Sequence, residues 1–244
     1  DVIESRGLGD VYKRQLLNSE TPIEESGDEP AIMFKNSQCP VVIGPNRIQA
    51  AKHLMENTDS NVILSDDGLQ HFSLGRDIEI LMIDGNRKFG NELLLPAGPL
   101  REPKSRIKTV DFTISSNRKW PSVAKYEMKY RPFKWVHMKS QKEYDIFDWP
   151  LKKEVNAVAG IGNPSNFFNL LKQLGFDISE YAFPDHHDFH SVDFEIMDNQ
   201  PTVMTEKDAI KCSFLDHTNY WYLKIEAEVS DNFEQDFLAE IKSK

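Results

Sequence analysis

The feature that most constrains the fold is an alternation of short β-favouring runs with amphipathic segments, which begins near residue 40. Between the first two runs, residues 47–56 have the pattern of a helix, and Asn46 is a suitable cap. Strands that alternate with helices usually form parallel sheets, because a parallel pair needs a long crossover connection. The sequence therefore predicts an α/β fold with a parallel, doubly wound sheet, whose first strands are residues 41–44, 62–65, 78–84 and 111–115.

Residues 118–149 break this alternation with scattered aromatic and basic residues, which predicts a β-ribbon. A second α/β segment follows, with strands at 155–160, 201–205 and 220–225 and a helix at 166–174 that ends at Gly175. We therefore predict an α/β core at residues 1–116, a β-ribbon linker at 117–152, a second α/β domain at 153–228, and a C-terminal helix at 229–244 that packs on the body.

Charge and composition exclude several classes of function. The formal net charge of −10 argues against non-specific binding to nucleic acid, whose phosphates favour a basic surface. Cys39 and Cys212 are far apart and lack metal-ligand spacing, so we expect neither a disulfide framework nor a zinc site. No apolar stretch reaches the roughly 18 residues that a membrane-spanning helix needs, so we expect any membrane contact to be peripheral.

Two adjacent carboxylates follow the second predicted strand. Asp66 and Asp67 stand at the carboxyl end of residues 62–65, which is the edge where open α/β sheets bind their ligands. Carboxylate oxygens suit Mg²⁺, which usually takes one or two protein carboxylates together with substrate phosphates and water. A polar turn that merely ends the strand explains the same residues equally well.

Three other clusters carry candidate functional groups. Asp28, in Gly-Asp-Glu-Pro at residues 27–30, is either a general base or a helix cap. Arg101 and Glu102 lie in a proline-rich loop at residues 94–103, where Arg101 has the planar fork that holds phosphate and Glu102 is a candidate metal ligand. His186 belongs to a run of histidines and aspartates at residues 185–190, which fits acid–base catalysis or a metal site.

Two further segments are ambiguous. Residues 160–164, Gly-Ile-Gly-Asn-Pro, fit a tight turn better than a phosphate loop because the third glycine of the dinucleotide fingerprint is missing. In residues 205–208, Lys207 has the reach to contact an anion, whereas Thr205 and Asp208 fit a helix cap.

These motifs, in this order and at this spacing, resemble the tetraacyldisaccharide 4′-kinase family over about residues 24–225. The resemblance implies a P-loop-type α/β core that is joined by a β-ribbon to a smaller α/β domain. It implies transfer of the γ-phosphoryl group of ATP to the 4′-hydroxyl of a tetraacylated glucosamine disaccharide 1-phosphate, with peripheral membrane contact at the cytoplasmic face of a Gram-negative inner membrane.

The resemblance also assigns roles to individual residues. Asp28 matches the family's candidate base and His186 matches the histidine thought to pair with it. Asp66, Asp67 and Glu102 match the side that binds Mg²⁺. The residues matched to nucleotide binding are Gln70, His71 and Arg101.

The sequence departs from the family at its front. It contains no Gly-x-x-x-x-Gly-Lys followed by Ser or Thr, the sequence that surrounds the phosphates in P-loop enzymes. Residues 1–15 resemble translated adapter sequence, although Ser-Arg-Gly-Leu-Gly at residues 5–9 resembles a family motif. We therefore expect an N-terminally incomplete copy with little or no kinase activity of its own.

Two alternative functions stay open at this point. Asp-His-His at residues 185–187 is similar to the signature of manganese-dependent phosphoesterases, which hydrolyse their substrates without ATP. A fragment that binds acylated sugars or a partner without catalysis is the other alternative. ATP binding with and without magnesium distinguishes these alternatives from the kinase.

Overall fold

The computed structural model describes residues 2–4, 14–197, 199–215 and 218–244. Residues 5–13, which include the Ser-Arg-Gly-Leu-Gly stretch, lie outside the described part of the chain. The described residues form an α/β fold with mostly parallel strands, so the predicted fold class is confirmed. Its strands are β1 Val2–Glu4, β2 Gln15–Leu16, β3 Val41–Ile43, β4 Leu64–Ser65, β5 Ile80–Asp84, β6 Phe112–Ser116, β7 Tyr126–His137, β8 Glu143–Asp145, β9 Glu154–Ala159, β10 Asp177–Ala182, β11 Thr202–Thr205 and β12 Tyr220–Val229. Its α-helices are α1 Ile23–Ser26, α2 Asp28–Ser37, α3 Arg47–Asn57, α4 Pro164–Gln173, α5 Glu206–Ala209 and α6 Asp231–Ser243, and 3₁₀ turns occupy Lys104–Thr109, Ser191–Phe194 and Ile210–Cys212.

The chain divides into two compact units. Unit 1 comprises Asp1–Asp66 and Pro132–Ile225, and unit 2 comprises Asp67–Arg131 and Glu226–Lys244. The long strands β7 and β12 each contribute residues to both units. The four-part division drawn from the sequence stays a prediction.

In unit 1, a four-stranded sheet with the order β2-β3-β1-β4 is built around β3. Successive side chains of a strand point to opposite faces, and all three residues of β3 are buried. Val42 packs with Ala50 and Leu54 of α3 on one face. Val41 and Ile43 pack with Leu17 on the other, next to the partly buried Met33 and Phe34 of α2. The predicted helix at residues 47–56 is confirmed as α3, and the Asn46 side chain accepts a hydrogen bond from the Gln49 N–H at 3.0 Å.

The other strands of unit 1 follow the order β10-β9-β11-β12-β7, and β8 pairs with β7 in antiparallel fashion. The β7–β8 pair lies within residues 118–149, where the sequence predicts a β-ribbon, and the role of this segment as a linker between domains stays a prediction. Both faces of β9 are buried, which explains its nearly continuous apolar sequence. Val155, Ala157 and Ala159 pack against α4, whereas Val158 faces a second cluster around Phe189 and Met204.

In unit 2, β5, β6 and the first residues of β7 are parallel neighbours. Phe233 and Phe237 of α6 pack edge-on against Phe112 of β6, at centroid distances of 5.5 and 5.8 Å. Phe233 also packs against Tyr126 at 5.2 Å. The predicted C-terminal helix is therefore present, and its apolar face is used for packing within the protein.

The predicted buried strand at residues 62–65 is shorter and more exposed than expected. Only Leu64 and Ser65 form β4, and the side chain of Leu64 is 47% exposed. An apolar run indicates burial only if both faces of the strand are covered, and this condition is not met here. Among the described residues, no helix is long and apolar enough to cross a membrane.

Candidate functional site

Asp28 is a buried carboxylate at the start of helix α2. Gly27 precedes it with a φ of 87°, a conformation that favours glycine and that turns the chain from α1 into α2. Asp28 is thus the first residue of the helix, and Gly27 rather than the acidic pair is the N-cap. The positive end of the helix dipole favours a negative charge at this position.

His186 lies beside Asp28, although the two are far apart in sequence. It follows β10 in a turn and has a φ of 59°, and its backbone N–H donates to Asp185 Oδ1 at 3.1 Å. His186 Nδ1 is 3.5 Å from Asp28 Oδ2. The side chain of Asp28 is 4% exposed and that of His186 is 60% exposed. The structure therefore brings together the two residues predicted to be catalytic, and the pair extends from the interior towards solvent.

Two lysines also face Asp28. Lys211 Nζ is 3.6 Å and Lys207 Nζ is 3.8 Å from Asp28 Oδ2. Lys207 donates a hydrogen bond to Glu29 Oε1 at 2.9 Å. Burial acts to lower the pKa of Lys207, but the hydrogen bond to Glu29 and the nearby carboxylates outweigh it, so this pKa is raised. Lys207 therefore contacts an anion, as the sequence suggests, but in this structure the anions belong to the protein.

Asp208 completes the group that we call the Asp28 cluster, which consists of Asp28, His186, Lys207, Lys211 and Asp208. Asp208 Oδ2 accepts hydrogen bonds from the Gly160 N–H at 2.9 Å and from Thr205 Oγ1 at 2.6 Å. Thr205 also caps α5 by accepting from the Asp208 N–H. A Cβ atom on Gly160 would lie 3.1 Å from Asp208 Oδ1. Residues 160–164 therefore begin with a glycine that close packing requires.

The two neighbouring histidines of the loop have different partners. His187 Nε2 is 3.0 Å from Asp193 Oδ2, and its ring stacks on Phe183 at a centroid distance of 4.7 Å. Burial of Asp193 acts to raise its pKa, but hydrogen bonds from the His190 N–H and from His187 outweigh this, and the pKa is lowered. His186 and His187 therefore do not converge on one site.

A second polar cluster lies in unit 2, and we call it the Arg101 network. Arg101 Nη1 donates to Asp67 Oδ2 at 2.8 Å and to Gln70 Oε1 at 3.3 Å. Gln70 Nε2 donates to Glu102 Oε1 at 2.7 Å, and Arg106 Nε donates to Glu102 Oε2 at 3.2 Å. The predicted nucleotide residues Arg101 and Gln70 are thus linked to the predicted metal ligands Asp67 and Glu102.

The remaining predicted residues lie in the turn after β4. Asp66 is exposed at the end of unit 1, and Asp67 follows it with a φ of 45°. The backbone N–H of His71 donates to the Gly68 carbonyl at 3.0 Å. Arg76 Nη1 also donates to the Gly68 carbonyl, at 3.1 Å. Hydrogen bonds thus fold the segment after β4 into successive turns.

The fit of these residues to Mg²⁺ rests on the chemistry of their donors. Asp66, Asp67 and Glu102 offer hard carboxylate oxygens, and the side chain of Asp67 is 66% exposed. In the part of the chain that the structure describes, no group of three or more His, Cys, Asp or Glu side chains is arranged to hold a metal. One or two carboxylates are sufficient for Mg²⁺ when phosphate and water complete its shell, so the donors fit this ion.

Sequence reasoning missed Lys211 as a member of the site and treated Asp208 only as a possible cap. Lys211 lies in the short turn Ile210–Cys212, where the sequence Ile-Lys-Cys has no recognisable motif. The available signal was spacing, because Lys207, Asp208 and Lys211 recur at helical intervals directly after a predicted strand.

The comparisons with known proteins agree on one family. A model of the family described as tetraacyldisaccharide-1-P 4′-kinase matches residues 2–242. A tetraacyldisaccharide 4′-kinase of Nitrosococcus oceani is 43% identical over 236 residues, which cover 94% of this chain and 68% of that protein. The corresponding protein of Legionella pneumophila (strain Corby) is 46% identical over 213 residues, which cover 86% of this chain and 64% of that protein.

A solved structure is similar as well. It is described as the "apo" form of LpxK from Aquifex aeolicus in complex with ATP. The TM-score is 0.80 at 27% sequence identity, and the match covers 98% of this chain and 77% of that chain. The chain thus spans roughly two thirds of the length of the curated relatives named above, at 68% and 64%.

Proposed function

The chain belongs to the tetraacyldisaccharide-1-P 4′-kinase family, and on this premise we propose that it takes part in transfer of the γ-phosphoryl group of ATP to the 4′-hydroxyl of a tetraacylated glucosamine disaccharide 1-phosphate. Membership of the family confirms the resemblance drawn from the sequence motifs. The family's enzymes are kinases, which are transferases, and their lipid substrate places the reaction in lipid A biosynthesis.

The observation that carries the proposal is the contact between Asp28 and His186. Phosphoryl transfer needs an attacking hydroxyl that is held in line and loses its proton during the reaction. Asp28 Oδ2 is buried but lies 3.5 Å from the exposed ring of His186. We assign Asp28 as the base that accepts the proton of the sugar hydroxyl. We assign His186 as its partner, which orients Asp28 and offers a route for the proton to solvent.

The Arg101 network supplies the groups for the nucleotide side. Arg101 has a guanidinium that can bind phosphate oxygens, and we place Gln70 and His71 beside it as further nucleotide contacts. Asp66, Asp67 and Glu102 would hold Mg²⁺. The ion, when bound, neutralises charge that develops on the transferred phosphoryl group.

The lipid substrate implies work at a membrane surface. We propose peripheral contact with the cytoplasmic face of the inner membrane, where an acylated disaccharide 1-phosphate is available. Sedimentation with vesicles that contain the lipid substrate tests this contact. Binding to vesicles with and without the substrate to the same extent contradicts recognition of the sugar.

We further propose that residues 1–244 transfer the phosphoryl group slowly by themselves, since they contain no Gly-x-x-x-x-Gly-Lys sequence. Transfer is therefore measured with protein in excess over labelled disaccharide 1-phosphate, so that a single slow turnover is visible. Calorimetry with ATP, with and without magnesium, measures nucleotide binding separately. Rapid steady-state turnover contradicts the slow transfer, and absence of both product and ATP binding contradicts the kinase assignment.

The variant Asp28→Asn tests the role of the base. A positioned base contributes about 10²–10⁴-fold, so we expect the variant to lose at least 100-fold in single-turnover rate while ATP binding is unchanged. Asp188→Asn is the matched control, because Asp188 lies in the loop of His186 and its side chain is 91% exposed. Equal rates for both variants contradict the assignment of Asp28.

A further inference from the structure

Lys211 is an unusual lysine because its charged end is buried. Its side chain is 13% exposed, and Nζ has no hydrogen-bond partner among the described residues. Nζ instead lies 3.6 Å from Asp28 Oδ2 and 3.7 Å from Asp208 Oδ1. Lysine side chains normally extend to keep the ammonium group in water. The ammonium group of Lys211 is therefore shielded from water and lies close to two carboxylates instead.

Both carboxylates are also held in the interior. Asp208 is fully buried, and its Oδ2 accepts two hydrogen bonds, from Gly160 and Thr205. Its Oδ1 is buried, makes no hydrogen bond among the described residues and faces Lys211. Asp208 is thus a second buried carboxylate close to the ammonium group of Lys211.

Lys207 does not duplicate this arrangement. Its ammonium group is hydrogen-bonded to Glu29 at 2.9 Å and is also 3.9 Å from Asp185. Its side chain is 21% exposed, compared with 13% for Lys211. Screening by solvent weakens the effect of a charge. Lys211 is therefore expected to act more strongly on Asp28 than Lys207 does.

We infer that Lys211 is a positioning residue for Asp28: its buried ammonium group, anchored by Asp208, keeps Asp28 in place and in the carboxylate form that accepts the proton of the sugar hydroxyl. The catalytic part of this inference rests on the function proposed above. The electrostatic part depends only on the distances and burial within the Asp28 cluster.

The ionisable groups that face Asp28 come from several elements. His186 approaches from the loop after β10, at 3.5 Å, and Lys207 approaches from α5, at 3.8 Å. Lys211 approaches from the 3₁₀ turn after α5. Glu29 on α2 and Asp185 beside His186 act on Asp28 through Lys207. Removal of Lys211 leaves this set more negative, so the pKa of Asp28 must rise.

The experiment titrates Asp28 directly by carbon-13 NMR of the aspartate carboxyl groups in the whole chain. The Asp28 signal is the one that disappears in Asp28→Asn. Loss of an opposite charge at this distance moves a carboxyl pKa by about 1 to 3, so we expect Lys211→Met to raise the pKa of Asp28 by at least about 1. Lys211→Arg keeps the positive charge, so we expect it to change the pKa of Asp28 by less than half of the shift in Lys211→Met.

The variant Asp208→Asn is expected to change the pKa of Asp28 in the opposite direction. Asp208→Asn keeps an oxygen for the hydrogen bonds from Gly160 and Thr205 but removes the second negative charge on Lys211. We therefore expect it to lower the pKa of Asp28. Lys172→Met removes an exposed ion pair with Glu180 and serves as the control that leaves Asp28 unchanged. If Lys211→Met does not fold, Lys211→Gln, which removes the charge but keeps a polar side chain, takes its place with the same expected rise in the pKa of Asp28.

A merely structural role for Lys211 predicts a different result. In that case Lys211→Met lowers stability but leaves the pKa of Asp28 within about 0.3 of the unmodified chain, and this outcome overturns the inference. A single-turnover transfer assay in Lys211→Met adds the catalytic readout, and we expect its acid limb to move up by about one pH unit with ATP binding unchanged.

Different results contradict the proposal that Asp28 is the base and the inference that Lys211 positions it. If Asp28→Asn transfers phosphate as fast as the unmodified chain, the base assignment fails, yet the titration of Asp28 can still respond to Lys211→Met. If Asp28 is essential but its titration ignores both Lys211→Met and Asp208→Asn, the inference about Lys211 fails and the proposed function remains.

Discussion

The substitution Gly160→Ala is predicted to disturb the packing around Asp208. An ideal Cβ atom at this position would lie 3.1 Å from Asp208 Oδ1, 3.2 Å from Phe189 Cζ and 3.3 Å from the Pro184 carbonyl oxygen. All three distances are shorter than ordinary van der Waals contact for carbon. The methyl group therefore cannot be accommodated by moving one flexible side chain, because its neighbours lie on two segments, α5 and the loop after β10, and one of them is a backbone atom.

The size of the effect follows from two opposing contributions. Overpacking of a well-packed interior costs about 1–3 kcal/mol. Replacement of glycine by alanine also reduces the entropy of the unfolded chain, which offsets about 0.4–1 kcal/mol. We therefore expect Gly160→Ala to lower the free energy of unfolding by about 1–2 kcal/mol. The midpoint temperature should fall by about 2–4 °C per kcal/mol.

Urea and thermal unfolding of Gly160→Ala measure this loss. Gly44→Ala is the matched control within unit 1, because its added Cβ would meet atoms of Arg14 at an ordinary 3.5 Å. We expect the control to be as stable as the unmodified chain or slightly more stable. If the two variants have the same unfolding midpoint, the reasoning from close packing around Gly160 is refuted.

Three further predictions concern other parts of the molecule. Phe233→Ala should remove the edge-on contact with Phe112 and lower the free energy of unfolding in urea by about 1–3 kcal/mol, which is less than for a fully buried phenylalanine. An unchanged urea midpoint would show that α6 contributes little to the stability of unit 2. The pKa of Asp193 is lowered from its ordinary value of 3.8, so its ionised form stabilises the fold at pH values above 3.8, and this contribution is lost as the pH falls through the pKa of the folded state. The stability of Asp193→Asn should therefore fall less steeply below about pH 4 than that of the unmodified chain. Parallel curves of stability against pH would contradict this. Burial raises the pKa of Cys212 to about 12, so iodoacetamide at pH 8 should modify the partly exposed Cys39 first, and equal labelling by mass spectrometry would contradict the buried position of Cys212.

The secondary structure was predictable where local signals were strong. The helix predicted at residues 47–56 is observed at Arg47–Asn57, because its cap and its apolar face are both encoded locally. The strand predicted at 78–84 is observed at Ile80–Asp84. The strand at residues 62–65 failed as a buried element, since burial of an apolar run depends on which neighbours cover it. Tertiary surroundings, which periodicity does not encode, decide such cases.

The candidate site was predictable only in part. The resemblance to a family named Asp28 and His186, and the structure places them 3.5 Å apart, although their catalytic roles stay a prediction. Residue patterns alone left Asp28 as either a base or a cap. Lys211 gave only the signal of its helical spacing from Lys207 and Asp208, which exposed ion pairs on helices show as well. Its burial becomes visible only when α2 and the turn after α5 are packed together.

The free energy that is needed to bury the charges of the Asp28 cluster bears on the role of the cluster. Asp28 and Asp208 are buried carboxylates, and Lys211 lies between them without a hydrogen bond among the described residues. Desolvation of such charges costs several kcal/mol each, and apolar residues of similar volume often stabilise a fold as well or better. A requirement for stability therefore does not explain why these three charges occupy the interior. The chemistry proposed for Asp28 does, because a base that must stay ionised next to a reacting hydroxyl needs a fixed positive charge that water cannot screen.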